Sequence, residues 1–572
     1  MRDFKFILEF KTSIYGKIIK AEGNETEYYK IESEYADNKI KIKLLPKNKL
    51  FLINAYLMCE YEYDKEDRVF CNGYQSWTNS REFKTTDYQE GLRGLSRHLH
   101  LIKRITRIFG DYNFQNYSRK QGEFSSYSYT YIKRKGDVNN IEVWGTTNER
   151  TGFTIFHHDI NKNMLTLQKD VEGVSINSAY TIFDVVMTQG DYNKAFDEYF
   201  KILNLPNLKY KHLSGYTSWY NYYGGINEKI LTRDLEGLST VGDKANLFQI
   251  DDGFQTATGD WLLIKKNLFP NGMKYLVDKI HDKNYSAGLW LAPFSAQIFS
   301  KVAKEHKDWF VRNPSGNRQI GAIAWNGAYT LDFYQEEVRA YIKNFFDVVL
   351  NEWGFDMVKL DFLYSICRTP RYNKSRGQIM CEAMDFLREC VGDKIILGCG
   401  VPLFPSFGKV DLCRISSDVG PSFTDQFYCK HTNQEFISTK NAMNNTLFRR
   451  HLDGRAFVND PDVFYVRKSN LKGIDPLAGK KTKLVFTDKQ KELLAKVNNM
   501  CGNVLFVSDN VGDFDEKQKE LLLKTFEPNT KNVIDVNYVD NEHISVIYKE
   551  NEHKYKLTFD INLGDNKTEE IK

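Results

Sequence analysis

Residues 338–361 read VRAYIKNFFDVVLNEWGFDMVKLD, and this stretch contains the pattern that decides the fold. Its apolar residues recur at steps of three and four from Val338 to Trp353, which predicts an amphipathic helix. Gly354 follows as a natural helix stop, and the apolar run Met357–Leu360 then indicates a buried strand that ends at Asp361. The stretch is therefore one helix and one strand, with a carboxylate directly after the strand.

The same alternation recurs throughout the middle of the chain. Short apolar runs alternate there with segments of helix length, and a last helix is expected at about Glu516–Thr525. The eight runs are Leu213–Trp219, Asn246–Ile250, Ala287–Leu291, Met357–Leu360, Ile395–Gly398, Leu412–Ile415, Ala456–Val458 and Val504–Val507. Eight strand-then-helix units predict a parallel (β/α)8 barrel.

Strand patterns flank this barrel on both sides. Lys39–Leu44 and Ser126–Tyr131 alternate with period two, as half-buried strands of antiparallel sheets do. The C-terminal tail returns to strand-like runs at Ile544–Tyr548 and Tyr555–Ile561. We therefore predict an N-terminal β-sandwich at residues 1–205, the barrel at 206–525 and a small antiparallel β-domain at 526–572.

Composition disfavours several classes of function. The 572 residues carry 79 basic and 75 acidic side chains, a balance that gives no electrostatic footprint for nucleic acid or a membrane surface. No long apolar run predicts a transmembrane helix, and Met1–Gly16 lacks the apolar block of a signal peptide. The nine cysteines include no C-x-x-C pair, which disfavours a disulfide framework or a zinc site, so a cytoplasmic location is expected.

Acidic residues follow several of the predicted strands, at the end of the barrel where active sites lie. The groups are Asp251-Asp252-Gly253, Lys359-Leu-Asp361, Arg414 with Asp418, and Asn459-Asp-Pro-Asp462. Each group also has a purely structural interpretation: a turn, a salt bridge, a loop ion pair and, for the last group, a brace between loops. Isolated carboxylates are costly to bury, so a cleft is the favoured place for so many of them.

Asp361 and Asp418 together fit the chemistry of a retaining glycosidase. One carboxylate of such an enzyme attacks the anomeric carbon, while the other protonates the leaving oxygen and then activates water, the two standing about 5–5.5 Å apart. Strands four and six are neighbours but one, so both carboxylates can converge over the barrel axis. Lys359 faces the same way as Asp361 on its strand and is expected to keep that carboxylate ionised.

Nine segments of the sequence together resemble those of a known protein family. They are Asn72–Trp77, Gln249–Phe254, Gly259–Trp261, Phe269–Met273, Gly288–Phe294, Val358–Phe362, Leu397–Pro402, Arg414–Asp418 and Asn459–Asp462. In these residues the chain resembles glycoside hydrolase family 36, the bacterial α-galactosidases of clan D. The resemblance implies an N-terminal β-supersandwich, a central (β/α)8 TIM barrel and a C-terminal antiparallel β-domain, in agreement with the periodicity.

The resemblance also implies roles for individual residues. Asp361 resembles the family nucleophile, Asp418 its acid/base, and Asp251 with Asp252 the carboxylates that accept hydrogen bonds from the 4- and 6-hydroxyls of galactose. The other substrate-binding residues that it implies are Lys359, Arg414, Trp290, Trp219, Cys399, Gly400 and Trp77. It implies an α-galactoside substrate without a metal or cofactor, and an oligomer is favoured because family members include multimers.

One departure from the family bears on the loop before Asp418. Ser416-Ser417 stands where a Gly-Pro pair is expected, which puts the shape of the loop in question but not the role of Asp418. Cys399-Gly400 does not decide between a 2-hydroxyl and an N-acetyl group on the sugar. An α-N-acetylgalactosaminidase and a galactosyl transglycosylase therefore stand as alternatives on the same fold.

Two alternatives come from other classes of protein. A metal-dependent hydrolase would use Asp251, Asp252 and Asp361 as ligands, but none of the 11 histidines lies at a predicted strand end, which weakens it. A non-catalytic sugar-binding protein is disfavoured because both Asp361 and Asp418 are present.

Overall fold

The computed structural model describes residues 3–36, 38–92, 94–109, 117–425, 427, 437–469, 474–475, 479–480 and 483–572. Within these ranges, two antiparallel sheets are followed by an eight-stranded parallel sheet and then by a four-stranded antiparallel sheet. The order of these regions agrees with the fold class predicted from periodicity. The predicted boundaries at residues 205 and 525 stay a proposal.

The N-terminal region is a sandwich of two seven-stranded sheets. One contains Ile19–Glu22, Phe4–Lys11, Leu50–Glu60, Met164–Asp170, Phe153–Asp159 and Glu123–Tyr127, with Ser175–Ile176 beside Leu50–Glu60. The other contains Tyr29–Ala36, Lys39–Pro46, Tyr180–Gly190, Ile141–Thr146, Tyr129–Lys133, Arg68–Cys71 and Arg81–Lys84. Alternate residues of both sheets, such as Leu8 and Ile42, meet in one apolar core, which explains the period-two pattern.

The prediction of a single strand over Ser126–Tyr131 is wrong. The chain passes there from one sheet to the other, because Glu123–Tyr127 and Tyr129–Lys133 belong to different sheets. Ser128 makes the break with a φ of 68°, a left-handed conformation that interrupts a strand. Alternation continues across the break, so the sequence pattern does not reveal it.

All eight predicted barrel strands are present. In chain order, barrel strands one to eight are Leu213–Thr217, Leu247–Ile250, Ser286–Leu291, Met357–Leu360, Ile395–Gly398, Leu412–Arg414, Val458–Asp460 and Val504–Val507. Each lies parallel to its neighbours in the chain, and strand eight lies beside strand one. A parallel bridge between Val463 and Phe506 nearly closes the ring. Strand seven lies two residues later than predicted, so Asn459 and Asp460 are inside it.

Helices follow the barrel strands along the chain. They are Trp219–Tyr222, Glu228–Ser239, Gly272–His281, Lys301–Glu305, Glu336–Asp347, Arg376–Val391, Leu403–Ser406, Thr439–Phe448, Asp488–Cys501 and Glu516–Phe526. The helix predicted from Val338 to Trp353 spans Glu336–Asp347 and ends in a π turn at Val348–Glu352, and Gly354 follows with a φ of 86° that favours glycine. No helix in the described ranges is both long and apolar enough to cross a bilayer.

Smaller elements complete the molecule. A three-stranded sheet of Ser295–Gln297, Ile320–Ala322 and Ala328–Thr330 follows barrel strand three, and helix Tyr192–Leu203 precedes strand one. Short helices at Gly94–His98 and His100–Thr106 and a small hairpin of Ile474–Asp475 with Gly479–Lys480 are also present. The C-terminal sheet consists of Asn532–Tyr538, His543–Glu550, His553–Asp560 and Asn566–Ile571.

Candidate active site

Asp361 lies directly after barrel strand four, with its side chain buried and aligned by two hydrogen bonds. Its Oδ2 accepts from the Nε1 of Trp290 at 3.0 Å and its Oδ1 from the backbone N–H of Phe362 at 2.8 Å. Burial raises the pKa of Asp361, while the charge of Lys359 and the Trp290 hydrogen bond oppose that rise. The carboxylate is therefore oriented by donors on both oxygens.

Lys359 does not form the salt bridge with Asp361 that its position suggests. Its Nζ lies 2.8 Å from Oδ2 of Asp251, and both side chains are buried. Gln249 donates to the same oxygen at 2.7 Å, and the backbone N–H of Asp251 donates to Ser218 at 2.9 Å. The lysine therefore fixes Asp251 by direct contact and influences Asp361 through its charge alone.

Asp252 occupies the next position at the same strand end. Its Oδ1 accepts from Gln255 at 2.6 Å and its Oδ2 from the Nε1 of Trp325 at 2.7 Å, while its backbone N–H donates to Asp251 at 2.9 Å. Burial raises the pKa of Asp252, and the two side-chain hydrogen bonds oppose that rise. Asp251 and Asp252 are thus a fixed pair of acceptors and not a plain surface turn.

Arg414 lies at the centre of an ionic network at the ends of strands six and seven. Its guanidinium lies 3.1 Å from Asp418, 2.8 Å from Asp462 and 3.3 Å from Asp460, and its side chain is only 2% exposed. Burial raises the pKa of Asp462, and the Arg414 charge opposes that rise. Residues 459–462 therefore brace the loop after strand six through Arg414.

Asp418 differs from Asp361 in its surroundings. Its side chain is 33% exposed, whereas Asp361 is almost fully buried. One of its oxygens faces Arg414, and its backbone carbonyl accepts from the N–H of Ser438 at 2.9 Å. After burial, the charge of Asp418 is a further cause that raises the pKa of Asp361.

Trp77 extends from the N-terminal sandwich to the barrel. Its ring packs edge-on against Phe362 and Tyr364 at centroid distances of 5.3 and 5.6 Å. Gly400 has a φ of 54°, and a Cβ there would lie 2.9 Å from the Trp77 ring, so this contact requires glycine. Cys399 is buried beside it, and burial raises the pKa of its thiol well above the usual range.

The tryptophans predicted from the strand ends occupy different environments. Trp290 lies inside strand three and packs against Trp261 and Trp325, each at 5.8 Å between ring centroids. Trp219 lies at the start of a short helix after strand one and not within that strand, and it packs edge-on against Tyr223 at 5.0 Å. Trp290 therefore contacts the Asp361 carboxylate directly, whereas Trp219 packs against the residue that ends its own short helix.

Sequence reasoning missed two side chains that complete the arrangement. Trp325 lies in the segment between barrel strands three and four and has a φ of 55°. Its indole N–H donates a hydrogen bond to Asp252. Tyr220 donates to Oδ2 of Asp462 at 2.5 Å and accepts from Arg414 at 3.3 Å. Trp325 is far from any strand end in sequence, and only Tyr220, which adjoins Trp219, could have been found from its position.

The carboxylates of the metal-hydrolase alternative are engaged by protein donors. Lys359 and Gln249 bond to Asp251, and Trp290 bonds to Asp361. Among the described residues, no group of three or more His, Cys, Asp or Glu side chains could hold a metal ion. The residues described here therefore supply no ligand set for that alternative.

Comparisons with known proteins match this architecture. Residues 218–384 match the sequence profile of the melibiase family. A galactosaminidase of Flavonifractor plautii acting on A-type blood α-D-galactosamine is 30% identical over 29% of this chain and 16% of its own length. An α-galactosidase of Lactobacillus acidophilus is 29% identical over 26% of this chain and 20% of its own length. The alignments thus span about a fifth or less of these two curated relatives.

Solved structures align over far more of the chain. The α-galactosidase of Thermus thermophilus, in complex with p-nitrophenyl α-D-galactopyranoside, has a TM-score of 0.68 at 22% identity, covering 91% of this chain and 95% of its own. The GH36 α-galactosidase AgaA of Geobacillus stearothermophilus has a TM-score of 0.59 at 12% identity, covering 97% and 81%. At these sequence identities, the structural similarity establishes the fold of this chain.

The sandwich, the barrel with acidic strand ends and the C-terminal sheet together form the multidomain fold of a solved glycoside hydrolase family 36 structure. Over residues 218–384 the chain is also similar in sequence to the melibiase family. Both similarities agree with the resemblance found in the sequence.

Proposed function

We propose that this protein is a retaining, exo-acting α-galactosidase that removes terminal α-galactosyl residues from oligosaccharides or glycoconjugates. The observation that carries the proposal is the pair Asp361 and Asp418, which follow barrel strands four and six in contrasting surroundings: Asp361 is buried and bonded to Trp290, whereas Asp418 is partly exposed beside Arg414. Such a contrast is how two carboxylates take different roles in one reaction. The names of the Lactobacillus acidophilus and Thermus thermophilus relatives support galactose as the sugar.

Double displacement follows from the assigned roles. Asp361 attacks the anomeric carbon through an oxocarbenium-like transition state, while protonated Asp418 gives its proton to the departing oxygen. The resulting glycosyl-enzyme is then hydrolysed by water that Asp418 deprotonates, so the product keeps its α-configuration. Trp290 supports this assignment, since its N–H aligns the Asp361 carboxylate for attack.

Recognition of the sugar is assigned to the buried acceptors and the rings around them. We assign Asp251 and Asp252 to the 4- and 6-hydroxyls, because buried acceptors left unpaired by a wrong epimer make its binding costly. Lys359, which bonds to Asp251, and Arg414, which bonds to Asp418, are assigned to hydroxyls near the reaction centre. The remaining pocket-wall residues in this proposal are Trp290, Trp219, Cys399, Gly400 and Trp77.

The test is the release of nitrophenol from p-nitrophenyl α-galactoside and from the matching α-N-acetylgalactosaminide, measured side by side. The proposal expects cleavage of the galactoside and loss of several orders of magnitude in rate in Asp361→Ala. Near-normal hydrolysis by that variant would contradict the assignment of Asp361.

Hydrolysis of an amino-sugar α-glycoside is the second candidate function. The Flavonifractor plautii relative, a galactosaminidase by name, favours it, and Cys399-Gly400 is the segment expected to decide it. A preference for the N-acetylgalactosaminide in the same assay would keep the mechanism and change the sugar. Product analysis at high acceptor concentration separates hydrolysis from transglycosylation.

We also propose a cytoplasmic homo-oligomer. The eight described cysteines are all free thiols, which supports a reducing compartment. The loop between strands Phe4–Lys11 and Ile19–Glu22 exposes Ile14, Tyr15 and Ile18, and clustered apolar side chains of this kind support a contact between subunits. Size-exclusion chromatography with light scattering tests the oligomer, and a monomeric mass would contradict it.

A further inference from the structure

A stripe of buried polar side chains on helix Thr439–Phe448 joins the sandwich to the barrel. Asn441, Asn445 and Arg449 lie four residues apart, on one face of the helix and at its end, and all three are buried. They donate to backbone carbonyls of the segment that carries Trp77. Asn441 bonds to the carbonyl of residue 77 at 2.8 Å, Asn445 to that of residue 78 at 2.9 Å and Arg449 to that of residue 75 at 3.0 Å.

Asn441 differs from Asn445 because it also bonds to the loop that holds Asp418. Its amide donates to Oγ of Ser417, the residue directly before Asp418, at 3.0 Å. The Ser417 hydroxyl in turn donates to the carbonyl of Ser438 at 3.4 Å, and the N–H of Ser438 donates to the carbonyl of Asp418 at 2.9 Å. The first turn of the helix thus holds the loop at two successive residues.

Ser417 is also where this chain departs from the expected Gly-Pro pair. A proline has no side-chain hydroxyl, so it could not make the hydrogen bond to Asn441 that is present here. The departure therefore has a structural consequence: it connects the loop before Asp418 to the same amide that holds the backbone of Trp77.

We propose that Asn441 and Ser417 are a positioning pair that orients Asp418 for proton donation to the leaving group. Neither residue is assigned a contact with the sugar, and the proposal rests on the α-galactosidase function above. A proton must be delivered along a defined line to the departing oxygen, and small misplacements of a reacting group are costly in rate. Loss of the pair should therefore slow proton donation more than nucleophilic attack.

The test compares two galactosides that differ in their need for a proton. Methyl α-galactoside has a poor leaving group, whereas the leaving group of 2,4-dinitrophenyl α-galactoside departs without protonation. Asn441→Ala and Ser417→Ala should lower kcat/KM about 10- to 100-fold on the methyl glycoside and less than about threefold on the dinitrophenyl glycoside. The loss in the double variant should be smaller than the two single losses combined, because both changes remove the hydrogen bond between Asn441 and Ser417.

Asn445→Ala is the matched control, since it loses comparable bonds, to Thr78 and Ser80, on the same helix. Asn445→Ala should lower kcat/KM on both substrates by the same factor. Equal losses on both substrates in Asn441→Ala and Ser417→Ala, or additive losses in the double variant, would overturn the positioning role. Wild-type inactivity on both galactosides would instead overturn the α-galactosidase function, and the role of the pair with it.

Discussion

At the scale of single residues, Asp361 and Asp418 could be proposed from the sequence because each follows a predicted strand. Their contacts could not, because they depend on residues far away in the chain. Lys359 shows the limit: its spacing suggested a pair with Asp361, but its Nζ bonds to Asp251 on another strand. Trp325 shows the same limit, because the segment between barrel strands three and four brings its indole to Asp252.

The assigned roles of the two carboxylates predict opposite products with azide. In Asp418→Ala, azide should attack the glycosyl-enzyme and give α-galactosyl azide. In Asp361→Ala, azide should displace the leaving group directly, with Asp418 supplying its proton, and give the β-anomer. Proton NMR of the products distinguishes the anomers, and the reverse assignment of anomers to variants would contradict the roles.

The hydrogen bond from Trp290 to Asp361 predicts a shift in pH dependence. In the proposed mechanism Asp361 must be ionised to attack, and Trp290→Phe removes a donor that opposes the burial-raised pKa of this carboxyl. The pKa of Asp361 should therefore rise further, and the acidic limb of kcat/KM should move to higher pH.

Trp261→Phe is the control for that shift. Trp261 is buried beside Trp290, and within the described ranges its indole N–H has no hydrogen-bond partner. The acidic limb of Trp261→Phe should stay at the wild-type pH. Equal shifts in both variants would show that ring packing, and not the hydrogen bond to Asp361, controls the pH dependence.

At the scale of elements, apolar runs located all eight barrel strands, because strands of a parallel barrel are buried on both faces. The break between two strands at Ser128 could not be predicted, because the period-two pattern of the sequence continues on both sides of it. The brace after strand seven was recognised as one of two interpretations of residues 459–462. Its partner Arg414 lies on strand six, and only the paired strand ends bring them together.

Arg414 predicts a large effect on stability at this element. Arg414→Met would leave Asp460 and Asp462 buried without their counter-charge, so the free energy of unfolding should fall by about 3–5 kcal/mol. Arg150→Met, which removes an exposed pair with Asp385, should cost about 1 kcal/mol or less. Urea denaturation of both variants makes the comparison, and equal losses would contradict a buried brace.

At the scale of the whole molecule, the sequence predicted three regions but not how they join. Helix Tyr192–Leu203 lies between the sandwich and the barrel, and Tyr199 donates to the carbonyl of Thr146 at 2.8 Å, which supports placing the boundary after it, near residue 205. Lys133 of the sandwich is buried 2.8 Å from Glu82 and 3.0 Å from Asp535 of the C-terminal sheet. Contacts between residues so far apart leave no local pattern in the chain.

This buried cluster predicts how the C-terminal sheet is held. Lys133→Met leaves two buried carboxylates unpaired and should lower the free energy of unfolding by about 3–5 kcal/mol. Adding Glu82→Gln and Asp535→Asn removes those charges and should recover more than half of the loss. Urea denaturation and limited proteolysis of the C-terminal sheet report the result, and a triple variant no better than the single one would contradict the ionic origin of the effect.

The central claim is that Asp361 attacks the sugar, and covalent trapping tests it most directly. A 5-fluoro-α-galactosyl fluoride should accumulate as a glycosyl-enzyme, because the fluorine at C5 slows both steps through the oxocarbenium-like transition state while the fluoride leaves readily. Mass spectrometry of the digested protein should then find the sugar on the peptide that contains Asp361, and no label in Asp361→Ala. A label on another carboxylate, or turnover of the reagent without any covalent intermediate in the wild type, would contradict the account.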